Sequence, residues 1–147
     1  MANGTAVACD GKAVLILGAP GTGKSDLALR LIDRGARLIA DDLVELTRDG
    51  DRIMAAFPGD APPDLKGRIE ARGIGIVAVP AVDSSVELAL VVQATAPEQV
   101  PRMPETEYSQ WLGIDVPCLH LALPEAATPT KVRLALGAIS GSIIRPS

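Results

Sequence analysis

The stretch Gly18-Ala19-Pro20-Gly21-Thr22-Gly23-Lys24-Ser25 constrains this chain more than any other. It fits the pattern G-x-x-x-x-G-K-[ST] and joins two segments of different periodicity. Before it, Ala13-Val14-Leu15-Ile16-Leu17 is a continuous apolar run, which suits a strand buried on both faces. After it the period becomes helical. Leu27 with Leu31 and Ala28 with Ile32 are i,i+4 pairs, Asp26 lies in the first turn, and Arg34-Gly35 marks the stop. Each residue type has a chemical reason. Gly21 and Gly23 let the backbone turn and bring its N–H groups close to phosphate oxygens. The helix that starts near Lys24 turns its positive end to the same anion. Lys24 reaches the outer phosphates as a point charge, and the Ser25 hydroxyl is a ligand for Mg²⁺. By chance the pattern arises in roughly one chain of this length in a few hundred. Here it also has the strand and helix it requires.

The rest of the chain predicts a mixed sheet with helices packed on it, an α/β fold. Arg37 to Ala40 reads as a strand running into Asp41-Asp42. Val44 to Thr47 and Arg52 to Ala56 flank Arg48-Asp49-Gly50-Asp51, a hairpin signal. Leu65 to Arg72 is expected to form one or two helical turns before Gly73. Ile74 to Val79, Val86 to Gln93 and Cys118 to Leu123 are further expected strands. Residues 95–117, with four prolines, are expected to be mostly irregular, and Thr130 to Ile139 to be a late helix.

Length and composition narrow the classes. The chain has 147 residues, the size of one domain, with 48% apolar residues and no linker long enough to divide it. Its formal net charge of -4 argues against a broad nucleic-acid face, and its 2% aromatic content nearly excludes base-stacking platforms. No apolar run approaches the roughly 18 residues that cross a bilayer. The first residues lack the pattern of a signal peptide. Cys9 and Cys118 form neither a disulfide framework nor a metal motif by spacing. The expected setting is cytoplasmic, with no membrane and no nucleic-acid partner.

A phosphoryl transferase must orient or deprotonate its acceptor and complete the shell of its metal. Asp41 and Asp42 are the candidates. If Leu38 to Ala40 lies beside Val14 to Leu17 and parallel to it, its carboxyl end opens onto the phosphate loop, where ligands bind in open α/β sheets. One carboxylate would then serve as base and the other would join the metal shell. Mutual repulsion would raise one of the two pKa values. Taken alone, Glu70 and Arg72 read as a solvated ion pair and Arg102 as a surface arginine. His120 reads as a hydrogen-bonded structural histidine, Tyr108 and Trp111 as local packing, and Cys9 as a small buried residue.

Four segments together resemble one family. They are Gly18 to Asp26, Arg34-Gly-Ala-Arg-Leu-Ile-Ala-Asp41-Asp42, Ile69-Glu-Ala-Arg-Gly-Ile-Gly-Ile-Val77, and Lys131-Val-Arg-Leu-Ala-Leu136. The chain is similar to the catalytic domain of HPr kinase/phosphorylase, most of all the short alphaproteobacterial type, from about Asn3 to about Ser140. The resemblance implies a core related to phosphoenolpyruvate carboxykinase and an ATP- and Mg²⁺-dependent kinase acting on a serine of the phosphocarrier HPr. It also implies a reverse phosphorolysis that consumes phosphate and releases pyrophosphate, and a hexameric assembly. Matched by motif, Lys24 contacts phosphate, Ser25 and Glu70 hold Mg²⁺, Asp41 takes the serine proton, and Arg102 steadies the transferring phosphoryl. On the reading of the two carboxylates above, Asp41 as base leaves Asp42 for the metal shell.

The sequence departs from that family at two places. Asn3-Gly4 stands where members carry histidine and glycine, and asparagine cannot carry a proton charge. The stretch after Val79 lacks a glycine-rich insert found in longer members. Two other readings remain open at this point. A small-molecule kinase would want an arginine-rich lid, which Arg102, Arg133 and Arg145 do not evidently form. A nucleotide sensor with little turnover would suit Asn3.

Overall fold

The computed structural model describes residues 1–139. Ser140 and Arg145, named above, lie outside the described residues. Eleven strands and two helices follow one another in the order β1 (Ala2–Asn3), β2 (Thr5–Cys9), β3 (Lys12–Leu17), α1 (Lys24–Asp33), β4 (Arg37–Ala40), β5 (Leu43–Asp49), β6 (Arg52–Ala56), β7 (Arg68–Ala71), β8 (Gly75–Ala78), β9 (Val86–Ala94), β10 (Glu107–Trp111), β11 (Ile114–Leu121) and α2 (Thr128–Ile139).

Strand β3 is the spine. It pairs with β9 in parallel and with β2 antiparallel. The far edge of β9 forks. Its first residues pair with β6 antiparallel, and its last pair with β11 in parallel. Side chains of β3 alternate between two cores, as a strand buried on both faces must. Val14 and Ile16 pack with Leu27, Leu31 and Val132, so both helices cover one face. Ala13 and Leu15 pack with Ile39, Val44, Ile53 and Val116, so the β5–β6 hairpin and β11 cover the other. The near absence of aromatics is met by branched aliphatic residues, of which Leu15, Ile16, Leu27 and Leu31 are fully buried. Cys9 is buried as expected, and burial pushes its thiol up to about 11, which keeps it protonated.

Several expectations are corrected. Leu65 to Arg72 is not helical. A short 3₁₀ turn at Pro63–Leu65 ends there, Gly67 turns with a φ of 73°, and residues from Arg68 form β7, paired with β8. Residues 95–117 are only partly irregular, because β10 pairs along its whole length with the first half of β11. The late strand therefore begins at Ile114 rather than Cys118. Strand β4 runs parallel to β3 but not beside it. The unforeseen strand β2 lies between them, antiparallel to both. Trp111 packs against the second core, but Tyr108 is exposed. His120 is hydrogen-bonded, as expected. Its Nε2 lies 2.6 Å from Glu107 Oε2, and its Nδ1 lies 3.3 Å from Thr95 Oγ1. No helix among the described residues is long and apolar enough to cross a membrane.

Candidate phosphoryl-transfer site

The loop between β3 and α1 is built by its own residues. Gly21 and Gly23 adopt φ values of 83° and 97°, the left-handed region that other residues avoid. Gly18 is required for space, since a Cβ there would lie 2.5 Å from Thr22 Oγ1 and 2.7 Å from the Ala94 side chain. Thr22 closes the turn, donating from its hydroxyl to Ala19 O at 2.7 Å. Lys24 Nζ donates to Gly18 O at 2.6 Å and so joins the two ends of the loop. Gly23 caps α1, and the first amides of the helix have no intrahelical acceptor. Those amides, the positive helix end and the Lys24 ammonium together suit a phosphate chain. Asp26 is exposed and pairs along α1 with Arg30 Nε at 3.2 Å. Pro20 and Ala19 form the exposed crest of the loop.

The carboxylate pair arrives from β4. Because β2 is antiparallel to both β3 and β4, those two strands point the same way and end at the same edge of the sheet. Asp41 is held there from three sides. Its Oδ1 accepts from Ser25 Oγ at 2.8 Å and from Thr5 Oγ1 at 2.8 Å, and its Oδ2 accepts from the Glu70 amide at 3.4 Å. Thr5 is fully buried. It is a site residue that sequence reasoning missed, since a threonine in an apolar strand carries no signal of its own.

Asp42 is placed differently. Its φ of 69° and the hydrogen bond from the Leu43 amide to Asp41 O, 2.9 Å, make a tight γ-turn. The Gly4 amide pins this turn by donating to Asp42 O at 3.1 Å. The side chain meets solvent at the lip of the site. Even so, its pKa is raised above the ordinary 3.8, first by partial burial and then by the Asp41 and Glu70 charges, with Lys24 opposing. The same interactions place Lys24, Asp41 and Glu70 within electrostatic reach of Asp42. Asn3 is close by, paired in register with Leu43 across β1 and β5.

Arg102 is not brought to this group by any ion pair among the described residues. It is exposed at the wall of a cavity of about 210 Å³ that it shares with His120 and Lys131. Among the described residues no three His, Cys, Asp or Glu side chains could enclose a metal on their own. Mg²⁺ asks for less, because it takes one or two protein oxygens and completes its shell with phosphates and water. A Ser25 hydroxyl that gives its proton to Asp41 keeps its lone pairs for such a cation. The donor set therefore fits a magnesium-bound nucleotide.

Known proteins are similar to this chain over most of its length. HPr kinase/phosphorylase of Caldicellulosiruptor bescii is 37% identical over 127 residues, covering 80% of this chain and 40% of that protein. HPr kinase/phosphorylase of Bordetella petrii is 33% identical over 144 residues, covering 92% of this chain and 46% of that protein. The chain thus spans less than half the length of these curated relatives. The solved structure of the HPr(Ser) kinase/phosphatase from Coxiella burnetii superposes with a TM-score of 0.77 at 28% identity, covering 95% of this chain and 94% of that one. The model of the HPr serine kinase C-terminal domain matches residues 1–132, through the loop, the carboxylate pair and the β7–β8 hairpin and on into α2, and the chain therefore belongs to that family.

Proposed function

We propose that this chain is an ATP- and Mg²⁺-dependent kinase that phosphorylates a serine of an HPr-type phosphocarrier protein. The observation that carries this reading is the hydrogen bond from Ser25 Oγ to Asp41 Oδ1, which couples the phosphate loop to the end of β4. The phosphate loop binds and orients the nucleotide through its amides and Lys24. Bound Mg²⁺ would neutralise charge on the transferring phosphoryl. Ser25 would hold that ion together with Glu70, which reaches the site from β7. Asp41, already committed to three donors, supports giving it the task of fixing the Ser25 hydroxyl. Among the described residues Asp42 has no such commitment, and its proton affinity is raised, which suits it to accept the acceptor serine's proton. The family resemblance gave that proton to Asp41, and the hydrogen bonding favours its neighbour. Arg102 would have to approach from its cavity wall to assist the transfer.

Phosphorolysis in the reverse direction would need a group to manage free phosphate. Asn3 beside the Asp42 turn offers hydrogen bonds but no proton charge, which favours a kinase with a weak reverse reaction. The reading also takes the chain to be cytoplasmic and to assemble with copies of itself.

The test mixes the chain, Mg²⁺ and γ-labelled ATP with an HPr-type phosphocarrier, beside a phosphocarrier whose acceptor serine is alanine. Label on the first and none on the second is the expected result. ATP binding without any transfer would sink the kinase reading and leave a nucleotide sensor. Within the same assay, Asp42→Asn should lose transfer at every Mg²⁺ concentration and keep nucleotide affinity. Asp41→Asn should instead raise the Mg²⁺ requirement. The opposite pattern would return the base to Asp41.

A further inference from the structure

The phosphate loop and its carboxylates recognise a phosphate chain, a metal and a proton. None of them recognises a protein, so selection of a protein substrate needs a surface beside them. The β7–β8 hairpin supplies one. Its register pairs Arg68 with Ala78, Ile69 with Val77, Glu70 with Ile76 and Ala71 with Gly75. Side chains alternate across such a pair. Ile69 and Ala71 are buried, and Val77 packs on the first core. The opposite face carries Arg68 and Glu70 from β7 with Ile76 and Ala78 from β8, and Arg72 and Ile74 extend it into the turn; all of these are exposed.

Ile74 is 80% exposed and Ile76 63%. A single exposed isoleucine is ordinary. These two sit on one short hairpin, and Ile76 stands directly opposite Glu70. Directly opposed residues have Cβ atoms about 5 Å apart, so whatever covers Ile76 lies against the rim of the transfer site. The charge is as unusual as the exposure. Lys66, Arg68 and Arg72 against Glu70 make residues 66–72 a basic spot on a chain of net charge -4.

We infer that this face docks the protein substrate, with an apolar patch beside the acceptor serine seated on Ile74 and Ile76 and acidic groups around that patch facing Arg68 and Arg72. The inference rests on the kinase reading and adds the surface that chooses the substrate. Docking there brings the serine hydroxyl to the side of the site where Asp42 and Glu70 lie.

The test uses the full chain with Ile74 and Ile76 both changed to threonine. Threonine keeps the branched shape that suits a strand and removes the apolar contact. Affinity for the phosphocarrier is measured by calorimetry with the serine-to-alanine phosphocarrier, and transfer by steady-state kinetics with the unaltered one. Binding should weaken and KM for the phosphocarrier should rise about tenfold or more, the scale of losing two central apolar contacts. The kcat at saturating phosphocarrier and the affinity for ATP should not change, and Ile76→Val should behave as the parent chain. Arg68→Glu should raise the same KM and flatten its dependence on salt. Unaltered binding and KM in the double variant, with transfer intact, would overturn the docking surface and leave the kinase standing. A change from oligomer to monomer with KM unaltered would overturn it in favour of a contact between copies. If the parent chain neither binds nor phosphorylates the phosphocarrier, the kinase reading fails and the docking surface falls with it.

Discussion

Thr5→Val tests the site at the residue that only the fold reveals. Valine has nearly the same shape, so the change removes one hydroxyl from a fully buried position. Asp41 Oδ1 then loses one of its two 2.8 Å donors and keeps Ser25. A hydrogen bond to a charged group contributes about 1.5–3 kcal/mol. The added buried methyl returns about 0.8 kcal/mol. The net loss is about 1–2 kcal/mol, or roughly 3–6 °C in Tm for a domain of this size. Function should suffer more than stability. With Thr5 gone, Asp41 can rotate, and the Ser25 hydroxyl loses its fixed partner. The assay is urea unfolding together with kcat measured over a range of Mg²⁺. The expected result is the stability loss above, a raised Mg²⁺ requirement and a several-fold lower kcat, with Thr5→Ser restoring most of each. A Thr5→Val chain with parental stability and a parental Mg²⁺ profile would refute the reasoning that Thr5 holds Asp41 and that Asp41 holds Ser25.

Asp42→Asn should stabilise the chain at neutral pH while ending transfer. Because the native carboxyl holds its proton to a higher pH than the unfolded one, the parent loses stability as pH rises from about 3.8 through the raised native value. Asparagine tolerates the positive φ and removes that slope, so the two unfolding curves should meet only in acid. Equal stability at pH 7 and pH 4 in both chains would count against it. Lys24→Ala should weaken ATP binding and rate together, as read by nucleotide titration and turnover, and an unchanged affinity would contradict the loop assignment. Gly18→Ala should destabilise by about 1–3 kcal/mol in thermal unfolding, because the new Cβ meets Thr22 and Ala94 inside normal contact distance. A neutral Gly18→Ala would mean that the loop relaxes freely.

What the sequence determined by itself was local. The phosphate loop, α1 and the Gly50 hairpin lie in consecutive residues, and glycine, helical period and charge state their geometry directly. Lys24 and Ser25 were legible for that reason. The proximity of Asp41-Asp42 was legible too, although its cause was not. Strand β4 ends beside the loop because β2 is inserted between β4 and β3, and an inserted strand leaves no mark on the sequence of either neighbour.

The same limit explains the errors. Residues 65–72 have an apolar spacing that fits a helical turn, and only pairing with β8 makes Arg68–Ala71 a strand. The β10 segment looked irregular among its prolines until β11 paired with it. The different settings of Asp41 and Asp42 needed the tertiary structure most. The two residues are chemically identical and adjacent. One meets three donors from distant parts of the chain, and the other is turned outward by a positive φ. Hydrogen bonds between residues far apart in sequence are set by packing, and packing is a property of the folded chain as a whole.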